Sequence, residues 1–216
     1  MKLEDIIERI YSLGSSPDLI SQCLLKISDI DHIKKIIDEF NFDVRHNDDE
    51  LIIHFVRQGK SKIVHLLLDY GANPRANGDK LLVYACRFCE YSVAERLLDM
   101  GVPINIRADE VLDNILYVAN SQLLKIVLDH GINISKQQLV SASYKGEPEM
   151  LKMLIDHGAD PSVFNKFFEE DEKDFNEEKP ISKHDEKYIE VANMLLSHGV
   201  APETTFKYLL SWFRMY

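Results

Sequence analysis

A chain of 216 residues, 45% hydrophobic and 28% charged, is too apolar for a disordered polymer and long enough to bury a core. Its 36 acidic against 25 basic side chains leave a formal net charge of −11, which repels phosphate backbones and anionic bilayers, so neither nucleic acid nor a membrane is expected as a partner. No apolar run spans a bilayer, the N-terminus MKLEDIIERIYSLG lacks a signal-peptide core, and three cysteines make no disulfide framework, so a cytoplasmic monomer is expected.

In chain order, the first element is a helix over residues 1–17 that stops at Gly14 and Pro17. One phrase then returns down the chain: IIDEFNFDV (36–44), LLLDYGANP (66–74), RLLDMGVPI (96–104), IVLDHGINI (126–134), MLIDHGADP (153–161) and MLLSHGVAP (194–202). Asn41 and the glycines Gly71, Gly101, Gly131, Gly158 and Gly199 mark helix ends, because these residue types accept the left-handed conformation that closes a helix. Upstream of four of these stops lies a second, shorter apolar stretch, at 51–59, 81–89, 111–119 and 139–146, so each unit reads as two antiparallel helices. Asp49, Asp79 and Asp109 stand just before the first helices, where each is expected to cap its own helix, with Ser135 and Gln138 as a capping box in the next unit. Leu66, Leu67, Leu97, Leu98, Val127, Leu128, Leu154, Leu195 and Leu196 are the expected ridges that pack unit against unit.

These phrases resemble the ankyrin repeat, in which a first helix beginning TPLH is followed by a second ending LLxxGAD. The second-helix phrase is matched; TPLH is replaced by ELII, KLLV, EVLD and QQLV at residues 50, 80, 110 and 137. The resemblance implies an all-α fold, an ankyrin-repeat solenoid of stacked antiparallel helix pairs with short connecting loops. Its repeats would fall at 18–48, 49–78, 79–108, 109–134, 135–162 and 163–202, between a capping helix at 1–17 and another at 203–216. The short Ile- and Asn-rich units resemble the divergent ankyrin repeats of giant DNA viruses, which implies a viral or bacterial protein that captures a host protein. The last repeat is interrupted at 167–187 by nine acidic and four basic residues, expected as a helix to residue 175 and then an exposed loop.

The resemblance also places the partner-binding surface. It implies a concave face at the ends of the first helices, carrying Arg57, Arg87, Phe88, Tyr91, Tyr117, Tyr144 and Lys145, with Arg45, Arg75 and Arg107 extending it from the loops. Arginine and aromatic residues are the types that concentrate binding energy at interfaces, which favours a protein-interaction scaffold or adaptor. No catalytic or metal-ligand spacing occurs, so no enzyme activity, cofactor or metal is expected; CRFC (86–89) has no second pair of ligands and reads as packing. The alternative is a regulatory domain, or an enzyme that uses the acidic insertion with His184. His130, His157 and His198, each one residue before a stop glycine, are expected to bond the last carbonyls of their helices.

Overall fold

The computed structural model describes residues 3–145, 147–167 and 186–205. These residues form helices and turns with no strand, and the helices pair and stack as in an ankyrin-repeat solenoid. By contact density the chain divides into two compact units, Met1–Arg107 and Ala108–Tyr216.

In the first unit, α1 (Leu3–Ser12) packs on α2 (Pro17–Leu24), and α2 pairs with α3 (Ile30–Phe40). Two further pairs follow: α4 (His46–Arg57) with α5 (Ser61–Asp69), and α6 (Ala76–Arg87) with α7 (Tyr91–Asp99). First helices stack on first helices, α2 on α4 on α6, and second on second, α3 on α5 on α7. In the second unit α8 (Ala108–Tyr117) pairs with α9 (Ser121–Asp129) and α10 (Lys136–Tyr144) with α11 (Pro148–Asp156). There α8 meets α10, while α9, α11 and α13 (Glu186–Ser197) form the second row; α12 is the short helix Val163–Phe167. Of the expected helix over 164–175 and the acidic insertion, residues 168–185 lie outside the described residues, as does 206–216 of the C-terminal cap.

The reason for the stacking is a stripe that recurs in register. Ile63, Val64, Leu67 and Leu68 are buried in α5, Val93, Ala94, Leu97 and Leu98 in α7, and Leu123, Leu124, Val127 and Leu128 in α9. A single helix pair has nothing to cover this stripe, so each repeat gains its stability from its neighbours, at about 1.5–3 kcal/mol for each large aliphatic side chain fully buried. Two expected ridge residues do not belong to it: Leu66 is half-buried and Leu196 is 42% exposed. Leu66 directly precedes the fully buried Leu67 and Leu196 directly follows the fully buried Leu195, and one residue along a helix rotates a side chain away from the core.

The helix stops read from sequence are confirmed: Gly14, Asn41, Gly71, Gly101, Gly131, Gly158 and Gly199 all have positive φ. The expected capping by aspartate is corrected. The helical assignment begins earlier, at His46 and Ala76, and passes through two left-handed turns, Asn47-Asp48-Asp49 (φ 54°, 54°, 62°) and Asn77-Gly78-Asp79 (φ 54°, 62°, 65°). Asn, Asp and Gly are the residue types that tolerate this conformation. The turn carries Asp49 inward, where it is buried and accepts a bond from the backbone N–H of Asn73 in the loop that follows α5 (3.0 Å). Asp79 receives Arg75 instead. Asp109 falls in the first turn of α8, after a 3₁₀ turn at Ile104–Arg107. Ser135 and Gln138 do form a capping box, with the Ser135 N–H donating to Gln138 Oε1 (3.1 Å). Gln138, buried, also donates from Nε2 to Asp113 (3.2 Å), tying α10 to α8.

Candidate functional site

The surface to be tested lies where each first helix ends and the chain turns into its partner. In the first unit that turn closes with a left-handed residue, Gly59 after α4 and Cys89 after α6; in the second unit Ala119 does the same after α8. The turn leaves the last side chains of α4, α6 and α8 outside the core. Arg57, Arg87 and Phe88 are exposed in the first unit, Tyr117 and Lys145 in the second, while Tyr91 and Tyr144 are half-buried.

In the first unit the Arg57 guanidinium lies 5.5 Å from the centroid of the Tyr84 ring, one turn before Arg87 on the next first helix. The Arg87 guanidinium lies 5.9 Å from the ring of Phe88, which is 41% exposed. In the second unit Lys145 Nζ sits 4.8 Å from the ring of Tyr117, 76% exposed. Each contact is worth about 0.5–1 kcal/mol at an exposed site, enough to bias where a long cationic side chain rests. The result is the same motif three times, a cation held against an aromatic ring at the end of a first helix.

Two residues of this surface were not selected from sequence. Tyr84 holds Arg57, and the signal was the inter-repeat offset: 27 residues separate them, one repeat less one helical turn. Glu90 accepts a short hydrogen bond from Ser61 and stands so close to Gly59 that a Cβ there would meet its Oε1 at 2.8 Å. It links the two turns of the first unit.

The three loop arginines divide. Arg45 is exposed beside α4. Arg75 forms a two-point bond with Asp79, Nε to Oδ1 at 2.7 Å and Nη2 to Oδ2 at 3.0 Å, and that hydrogen bond together with the guanidinium charge holds the Asp79 carboxyl below its usual range against a partial burial effect. Arg107 donates from Nε to the Gly78 carbonyl (2.7 Å). Arg75 and Arg107 therefore hold loops, because a turn of left-handed residues leaves its carboxylate and carbonyl facing them; sequence could not show those partners.

The remaining candidates behave structurally. Cys86 is fully buried and burial pushes its thiol up to about 12, which makes it a poor nucleophile and metal ligand at neutral pH. His130, His157 and His198 each donate from Nδ1 to the carbonyl four residues earlier, at 2.8 Å in every case, as their position before the stop glycine predicts. Among the described residues no three His, Cys, Asp or Glu side chains gather as a metal site, and no helix is long and apolar enough to cross a membrane. A cleft of about 280 Å³ in the first unit, between α1 and α2, is lined by Ile6, Arg9, Leu19 and Lys26 among others and contains none of the selected binding residues. His184 lies outside the described residues.

Helix pairs stacked by a recurring apolar stripe define a helical-repeat protein. In a comparison with protein families, residues 20–108 match the ankyrin repeats, in three copies. That stretch runs from α2 through the 3₁₀ turn before α8 and contains Arg45, Arg57, Arg75, Arg87, Phe88, Tyr91 and Arg107. Comparisons with curated proteins and with solved structures found no match. Ankyrin repeats are typically protein–protein interaction modules and usually non-catalytic.

Proposed function

We propose that this protein is a non-catalytic interaction scaffold, working as a cytoplasmic monomer, that binds an acidic surface of a protein partner through the first-helix ends of its ankyrin repeats. The observation that carries the reading is the repeated pairing of a cation with an aromatic ring: Arg57 with the half-buried Tyr84, Arg87 with the exposed Phe88, Lys145 with the exposed Tyr117. A cation already resting against a ring has lost part of its rotamer freedom, so a partner carboxylate meets it at lower entropic cost. The ring beside it supplies apolar contact area of the kind found at binding hot spots. The Ile- and Asn-rich repeats favour a viral or bacterial source, in which case the partner is a host protein.

The test is affinity for a captured partner. Replacing Arg87 and Tyr117 by alanine is expected to weaken binding at least about tenfold, the loss typical of interface hot spots. Raising ionic strength weakens the wild type further, because the cations are exposed. Unchanged affinity in the double variant would overturn the reading.

A further inference from the structure

The chain contains one Asn-Gly pair, Asn77-Gly78, in the left-handed turn that opens α6. Asparagine followed by glycine is the pairing most open to attack on its own side-chain amide, because glycine carries no side chain to obstruct the approach of its backbone nitrogen. In that reaction the Gly78 nitrogen gives its proton to solvent base and bonds to Asn77 Cγ; the Cγ–Nδ2 bond breaks and ammonia leaves. Water then opens the five-membered imide at either carbonyl, leaving aspartate or its isoaspartyl isomer. One water is consumed, one ammonia released, and nothing is oxidised.

Closure of that ring requires the Gly78 nitrogen to lie nearly eclipsed with the Asn77 Cβ about the Cα–C bond. The turn sets Asn77 at φ 54° and ψ 39°, which places that nitrogen on the opposite side, anti to Cβ. Both residues are exposed, so water is present and conformation alone withholds the reaction. Five hydrogen bonds keep the turn: the Asp79 N–H to the Arg75 carbonyl (3.1 Å), two from Arg75 to the Asp79 carboxylate (2.7 and 3.0 Å), Arg107 Nε to the Gly78 carbonyl (2.7 Å), and Asn77 Nδ2 to the Tyr84 hydroxyl (3.1 Å).

We propose that Asn77 is a conformationally gated deamidation site: blocked while the left-handed turn is closed, and modified when the turn opens. The last of those bonds makes the change consequential. Deamidation removes the donor to Tyr84, the ring beneath Arg57, and adds a carboxylate two residues from Asp79. The isoaspartyl product also inserts an extra carbon into a backbone turn of three consecutive left-handed residues, so the opened loop does not return to the same closure. Asn47-Asp48-Asp49 has the same backbone, yet the side chain of Asp48 hinders attack there.

The test follows the full-length chain by peptide mapping for aspartate and isoaspartate at residue 77, at mildly alkaline pH, folded and in urea. The folded chain is expected to react at least about tenfold more slowly, since the reaction must wait for local opening. Arg107→Ala, which frees the Gly78 carbonyl, raises the folded rate several-fold and leaves the urea rate unchanged. If that variant lowers the global urea midpoint, Arg107→Lys, which keeps the charge but lacks the Nε donor, is measured instead and is expected to give the same rise. Equal rates in folded and unfolded wild-type chain would overturn the proposal, as would a folded rate indifferent to the loss of the arginine clamp. The readout is independent of any partner.

Discussion

Replacing Ala119 by glycine should stabilise the protein. Ala119 closes the turn between α8 and α9 with φ 51°, in the position where Gly59 has φ 66° after α4, and it is exposed. A left-handed residue with a Cβ costs about 1–2 kcal/mol from the approach of that carbon to its own carbonyl oxygen. Glycine removes this cost, and returns part of it by making the unfolded chain more flexible, about 0.5–1 kcal/mol. Because the Ala119 methyl is in solvent, no packing is lost, and the net gain is about 0.5–1 kcal/mol. Urea unfolding followed by circular dichroism should show a higher midpoint at unchanged slope, with Ala142→Gly as the opposite control, since Ala142 is fully buried within α10. A lower midpoint for Ala119→Gly would refute the reasoning that these turns carry a steric cost wherever glycine is missing.

Asp49→Ala leaves the Asn73 N–H without its acceptor and should cost about 1–3 kcal/mol in urea unfolding, whereas Asp49→Asn keeps an acceptor and a tolerance for left-handed backbone and should cost less. The folded state holds His65 below its usual value of 6.5, first by burial and then by the neighbouring Arg96 charge. The unfolded chain therefore takes up this proton at a higher pH than the folded one. The His65 contribution is fully present above pH 6.5 and declines as pH falls through the lowered folded value; His65→Gln should flatten that part of a stability–pH profile. Cys86 should resist alkylation in the folded protein at mildly alkaline pH and react once urea exposes it, followed by mass spectrometry; ready reaction in the folded state would contradict its burial.

The helix ends were legible because glycine and asparagine do there what few residue types can, and their spacing carried the repeat. The first-helix starts were not. An aspartate ahead of an apolar run has the pattern of an N-cap, but Asn47-Asp48-Asp49 and Asn77-Gly78-Asp79 use the same residue types to turn left-handed, which aims Asp49 at a neighbouring loop and Asp79 at Arg75. Of the selected residues, Arg57, Arg87, Phe88, Tyr117 and Lys145 are exposed at first-helix ends. Tyr84 escaped selection because its partner Arg57 belongs to the preceding repeat, and the loop partners of Arg75 and Arg107 were not legible because a loop carboxylate or carbonyl leaves no periodic trace.

Hydrogen exchange of the protein with and without a captured partner tests the central claim most directly. Added protection is expected at the turns around Arg57–Ser61 and Arg87–Tyr91 in the first unit, and around Tyr117–Ser121 in the second. Protection confined to the second helices, α5 and α7 in the first unit and α9 in the second, with those turns unchanged, would contradict it.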